Sequence, residues 1–402
     1  MSPSLVLLAS LFQLHLLGDL DVRGEAALSA GQGVRSIHVQ DGDSAAVGQL
    51  DLAPRLTLYG GARPRVVFTY APTFSLPVGP ADAASGGGQV VAAPTSSALH
   101  SAQLSLEAPL SRWRVFASGQ GSWGTTDLIT AQADASAPDA VATRATLPYV
   151  SGQLAAGATF AANRRTALSL QAAAFFSGGT DEEARAAFPL QRGARAEGSV
   201  AWNVARRDVL ALQLSVLGSR VGDDSDGDAL VGRAGGTWAH SLSRRLLGRV
   251  GAGAASVFSD GAAAGQSGSL LGWAEASLAY AGAAAQPSAS LRLSAEPGVD
   301  RLTGLVQMRV GADGGVSWEP FRRWSFAGLA SIATLDTYAG PSELDGAIRV
   351  ARGEARAGRE VARDVWLYGS LAAAVQSSAR PDAPSFTELG AFLRLEARLF
   401  SL

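Results

Sequence analysis

The sequence predicts an all-β protein, a transmembrane antiparallel up-and-down β-barrel of about 18 strands, with 16 as the nearest alternative count. Three observations predict it. Apolar and polar residues alternate along segment after segment. The connections between segments are alternately short and long. The apolar content is high, yet no stretch is long enough for a spanning helix. Hydrophobic residues make up 47% of the chain and charged residues 17%, against roughly 25% charged in an ordinary soluble domain. A spanning helix needs about 20 consecutive apolar residues, and the longest such run here is Leu5 to Leu17.

That run, LVLLASLFQLHLL, has the length of a signal-peptide apolar region. No Lys or Arg precedes it, and no A-x-A site follows. The expected organisation is a signal peptide over residues 1–18 and a single barrel domain over 19–402. Cysteine is absent. That excludes a disulfide framework, a thiolate zinc site, a cysteine nucleophile and a lipoprotein anchor.

Alternation places successive side chains on opposite faces of a strand. From Leu50 to Tyr59, the set Leu50, Leu52, Pro54, Leu56 and Leu58 lies on one face. Asp51, Ala53, Arg55, Thr57 and Tyr59 lie on the other. After the link GARP (Gly61 to Pro64), Val66, Phe68, Tyr70, Phe74 and Leu76 oppose Arg65, Thr69, Thr73 and Ser75. The pattern recurs in Ser97–Leu110, where Leu104, Leu106 and Leu110 oppose Gln103, Ser105 and Glu107. In Val209–Ser219, Leu210, Leu212, Leu214 and Val216 share a face. It is clearest in Phe386–Phe400, where Glu388, Arg394, Glu396 and Arg398 share the face away from Leu389, Leu393, Leu395 and Leu399. A lipid-facing Arg or Lys at the membrane midplane costs about 2–4 kcal/mol, and this segregation avoids the cost. Arg192 and Trp273 fall out of phase.

The short connections mostly carry Arg: GARP, SRW, NRRT, ARRD, SRR, GAAAQ, FRRW and AGRE. The long ones are polar or acidic, such as Gln40–Ala46, Pro80–Pro94, Thr126–Thr146, Gly178–Glu183 and Val221–Asp228. Eight short turns, an opening strand near Val22–Val34 and a closing strand give the count of 18.

On these grounds, and on a final amphipathic strand ending at an aromatic (EARLF, Glu396 to Phe400), the chain resembles the bacterial outer-membrane β-barrel, porin-like family. The resemblance covers nearly everything from Asp21 onward. It implies location in a bacterial outer membrane, contact with outer-membrane lipid, and delivery by the barrel assembly machinery. It implies no reaction, no cofactor and no nucleic acid. The expected function is a porin-like channel for passive passage of small solutes. The alternative is a scaffold barrel with a plugged lumen that binds a partner.

The lumen-facing candidates, by phase, are Asp51, Arg55, Arg65, Glu107, Arg195, Glu197, Arg233, Arg249, Glu275, Arg292, Glu296, Arg309, Arg349, Glu388, Arg394, Glu396 and Arg398. Wall side chains alone cannot fill a barrel this wide, so the centre holds water or a loop. His15, His38, His100 and His240 are too scattered for a metal site, and His100–Ser101 and His240–Ser241 point to opposite faces. The acidic run Asp223–Asp228 lacks EF-hand spacing, and Gly86–Gly88 lacks the strand-then-helix context of a phosphate loop. Asp41 with Asp43, and Asp181 with Glu182 and Glu183, read as solvated loop tips. Trp113, Trp123, Trp202, Trp238, Trp318 and Trp324 fall near strand ends, as interfacial girdles require.

Overall fold

The computed structural model describes residues 22–39, 44–60, 64–78, 84–86, 89–91, 96–127, 146–222, 228–259, 269–283, 285–299, 306–337, 347–379 and 385–401. The expected signal peptide, most of the two longest connections, His15, Asp41, Asp43 and the tip of the acidic run 223–227 lie outside them.

The first quarter of the chain supplies β1 (Val22–Val39), β2 (Ser44–Gly60), β3 (Arg65–Tyr70), β4 (Thr73–Val78), the short pair β5 (Ala84–Gly86) and β6 (Gln89–Val91), and β7 (Ser97–Leu110). Next come β8 (Trp113–Asp127), β9 (Thr146–Ala161), β10 (Thr166–Gly179), helix α1 (Glu182–Ala187), β11 (Gln191–Ala205), β12 (Asp208–Val221), β13 (Asp228–Ser241) and β14 (Leu246–Ser259). The last third holds β15 (Ser269–Tyr280), β16 (Ser288–Val299), β17 (Val306–Trp318), β18 (Trp324–Thr337), β19 (Ile348–Ala362), β20 (Val365–Ser378) and β21 (Phe386–Ser401). β5 and β6 pair only with each other. β3 and β4 lie end to end, both against β2 and β7. They count as one stave, interrupted at Ala71–Pro72, because proline cannot donate to a ladder. The wall is therefore a closed antiparallel barrel of 18 staves.

Closure is made by β1 against β21, from Glu25↔Ser401 to Val39↔Phe386. A bulge sits between Ala26 and Ala27. Ala27 pairs with Arg398, but its neighbour Ala26 pairs with Phe400, so the terminal aromatic is advanced by one position relative to plain alternation.

The short turns form where local polar groups satisfy the freed backbone. Asn163 Oδ1 accepts from Arg165 N at 2.8 Å and Thr166 N at 2.9 Å. Ser243 Oγ accepts from Arg245 N and Leu246 N, both at 3.1 Å. The expected AGRE turn is not a turn. β19 runs through it to Ala362, and the chain reverses at Arg363–Asp364, with Asp364 at φ 61°. Asp tolerates that left-handed conformation, and Arg359↔Leu367 and Glu360↔Trp366 continue the ladder through the would-be turn.

Outward-facing residues form an apolar belt. Leu154, Leu170, Leu214 and Leu371 are each 65–69% exposed, which a soluble monomer rarely tolerates across a continuous surface. Trp113, Trp238, Trp318 and Trp324 mark the short-turn end of this belt, and Trp123, Tyr70 and Phe74 the other. Trp113 and Trp123 lie ten residues apart on β8. At about 3.3 Å per residue and a tilt of about 40°, they bracket roughly 25 Å, the height of an outer-membrane apolar band. The belt, the girdles and the closed wall place the protein in a bacterial outer membrane.

Arginine introduced for Leu214, in the middle of the belt, is expected to lower unfolding free energy in lipid by about 2–4 kcal/mol. The same change at neighbouring Gln213, on the lumen face, is expected to cost under about 1 kcal/mol, well below the lipid-face figure. Denaturant titration in detergent or liposomes measures both, and equal costs would show that the two faces are misassigned.

Candidate functional site in the lumen

Register assigns each lumen residue. Arg55 on β2 pairs with Ala27 on β1, which pairs with Arg398 on β21, so all three share a face. Asp51 and Arg394 share it through Gly31. The same reasoning around the wall puts Arg65, Glu107, Arg195, Glu197, Arg233, Arg249, Glu275, Arg292, Glu296, Arg309, Glu388 and Glu396 on the inner face.

Arg349 is a correction. It pairs with Thr334 and Ser377, in the phase opposite to Arg309. Its neighbours Ile348 and Val350 turn inward instead, where they bury against Leu335 near the loop end of the barrel. Two apolar side chains take the inner positions there, so the arginine between them faces out. Arg192 also faces out. It lies opposite Arg220, which makes a two-point ion pair with Asp228 at 2.5 and 2.6 Å. That site is at the strand ends, beside the loops, where an outward charge escapes the hydrocarbon. Trp273 faces inward in step with Glu275 and is buried. It covers Gly235 and Gly253, and its Nε1 donates to Ala234 O at 3.2 Å. A side chain on either glycine would occupy the space of the indole.

The inner wall has two unlike sectors. From β11 round to β21 and β1 it is ionic, and the charges are paired across strands. Arg233 reaches Glu296 at 2.7 Å and also donates to Pro297 O. Glu275 sits between Arg249 at 3.4 Å and Arg292 at 3.6 Å. Glu396 sits between Arg55 and Arg356, each at 3.7 Å, and Arg356 stacks on the Tyr368 ring at 3.6 Å. Arg398 meets Glu25 at 2.8 Å, and Arg35 meets Glu388 at 3.8 Å. Most of these pairs are partly exposed, so each adds only about 0–1 kcal/mol to stability. Their larger effect is on the field inside the barrel, because most of these arginines have a carboxylate beside them in the wall, although Glu275 and Glu396 each serve two.

The other sector, β4 and β7 to β10, presents mainly serine, threonine and glutamine. The described residues of β4, β9 and β10 contain no charged side chain. This sector lines most of a cavity of about 860 Å³ that is flanked by Arg195 on one side and by Asp51, Arg35 and Arg394 on the other. Sequence phase identifies Gln103 as inward but does not join it to Gln120 and Gln153, because their alignment depends on register. It also leaves out Glu25, Arg35, Arg356 and Tyr368. Glu25, Arg35 and Tyr368 lie on β1 and β20, for which the sequence fixes no phase, and Arg356 is lost because placing Arg349 inward gives β19 the opposite phase.

Near the loop end the inner face is packed. Helix α1 is capped by Asp181, whose Oδ1 accepts from Ala184 N at 2.8 Å, with Glu182 and Glu183 in the first turn where the helix dipole favours acids. Asp181 is thus a cap rather than a free loop tip. Phe188, just after the helix, packs on inward Tyr149 with ring centroids 5.8 Å apart. His100 faces outward, bonded through Nδ1 to Tyr70 Oη at 2.7 Å, while Ser101 faces inward. His240 bonds Asp208 at 2.8 Å. Among the described residues no three His, Asp or Glu side chains are grouped to hold a metal ion.

A closed wall with an apolar outside and a polar, cavity-bearing inside defines an outer-membrane β-barrel channel. The model of the EpsX exopolysaccharide export family matches residues 134–352, and the chain belongs to that family. Solved structures similar to the chain include OccK3 (OpdO) of Pseudomonas aeruginosa, with TM-score 0.47, 11% identity and coverage of 94% of this chain and 96% of that one. OccK7 (OpdD) of the same organism has TM-score 0.48 and 9% identity, covering 94% and 100%. The FrpB iron transporter of Neisseria meningitidis has TM-score 0.45 and 10% identity, covering 89% and 63%. No curated protein matches the chain.

Replacing Glu275 by Gln releases Arg249 and Arg292 from their shared partner. In planar bilayers under a salt gradient, the reversal potential of Glu275→Gln is expected to move toward greater anion preference than that of the wild-type barrel. An unchanged potential would show that this triad does not face the ion path.

Proposed function

We propose that this barrel is the outer-membrane conduit through which an exopolysaccharide leaves the cell. The observation that carries the reading is the hydroxyl- and amide-lined cavity inside a closed barrel, in a chain that belongs to an exopolysaccharide export family. A hydrated sugar chain exchanges hydrogen bonds with water for hydrogen bonds with such a wall at little net cost. Pairing of most lumen arginines with carboxylates of the wall also weakens the charge that a passing polymer would meet. Passive passage of small solutes is the second reading, favoured by the mixed-charge lumen.

Inactivating the gene in its native host separates the two. Export predicts loss of cell-surface polysaccharide, restored by the intact gene. Undiminished surface polysaccharide, together with slower uptake of small hydrophilic solutes, would support the second reading and overturn the first.

A further inference from the structure

Glutamine residues on three neighbouring strands fall in one row. Gln103 on β7 pairs with Gln120 on β8, and Gln120 pairs with Gln153 on β9. Gln120 Nε2 donates to Gln153 Oε1 at 3.1 Å. The row continues to Phe175 on β10, which pairs with Gln153. The Phe175 ring lies over Gly193 of β11, where a Cβ would approach it within 2.7 Å, so the glycine leaves room for the aromatic to lie against the wall. Two residues farther along each strand, about 6.7 Å away, runs a second row: Ser101, Ser122, Ser151 and Ser177. Ser101 Oγ is committed to Ala71 O at 2.6 Å.

The three glutamines, Phe175 and the four serines all line the same lumen cavity. Carboxamides and hydroxyls both donate and accept, as sugar hydroxyls do, and an aromatic face offers a platform for the apolar face of a sugar ring. A carboxylate-bearing chain would instead demand forked contacts from free arginine. Three arginines line this cavity, and two of them are already engaged, Arg195 by Glu197 at 2.7 Å and Arg35 by Glu388 at 3.8 Å, which leaves only Arg394 without a carboxylate partner among the described residues and no pair of free arginines for such contacts.

We infer that the Gln103–Gln120–Gln153 row, with Phe175 at its end, is a saccharide-binding track for an uncharged, hydroxyl-rich glycan. The inference rests on the export reading and specifies its substrate class. The track holds successive sugar units by neutral hydrogen bonds on one side of the lumen, and the opposite ionic wall stays hydrated.

The test is block of ion current through the reconstituted full-length barrel by maltohexaose, with an oligogalacturonate of equal length as the charged comparison. Maltohexaose is expected to block the wild-type barrel. The combined Gln103→Ala, Gln120→Ala, Gln153→Ala variant is expected to weaken that block about tenfold or more, and Phe175→Ala to weaken it separately. Open-channel conductance in the same recordings shows that each variant is folded. Stronger block by oligogalacturonate, indifferent to the glutamine changes, would overturn the neutral track and leave saccharide export standing. A conducting barrel that neither sugar blocks would overturn both.

Discussion

In hydrocarbon a backbone amide has no water to bond, and each one left unpaired costs several kcal/mol. Everything in this chain follows from meeting that demand with strands rather than helices. Each stave satisfies its neighbours on both sides, and β1 meeting β21 leaves no edge. Once the ladder is closed, side chains are free to differ between faces, because the backbone needs nothing from them. Leucine can then dominate outside and Gln, Ser, Arg and Glu inside, with one residue of each kind in turn.

The same freedom lets the inner face vary around its circumference. The ionic sector is cross-linked by pairs such as Arg233–Glu296 and the Arg249–Glu275–Arg292 triad. These fix long side chains against the wall and keep them out of the path. The neutral sector carries short hydroxyls and amides beside the open cavity. Most of the bulk and charge is thus held on one side and exchangeable hydrogen bonds are offered on the other, where Glu107 and Arg114 pair with each other, an arrangement suited to a hydrated, flexible passenger.

Much of the architecture was legible in the sequence because period-two alternation is imposed residue by residue by lipid. The strand count and the two classes of connection are local properties. What failed was non-local. Arg349 looked inward because nothing in its own strand reveals that Ile348 and Val350 bury against Leu335 on a neighbour. AGRE looked like its sister turns, but the register of β19 with β20 carries the ladder past it. Trp273 seemed out of phase until Gly235 and Gly253, on two other strands, explained where an indole fits inside. The glutamine row is of the same kind: phase puts Gln103 inward, but only pairing across strands brings it level with Gln120 and Gln153.

The closing seam differs from every other contact in the wall. Each remaining stave pairs with a partner next to it in the chain order, whereas β1 must wait for β21. Loop-closure entropy therefore falls on a single event spanning almost the whole polypeptide. Until the last strand is in place, the assembling sheet carries two open rims of unpaired amides. Such rims invite pairing with other chains and cannot enter lipid unescorted. The barrel is accordingly all-or-nothing: losing the final strand would cost far more than one eighteenth of its stability, because it would reopen two edges at once.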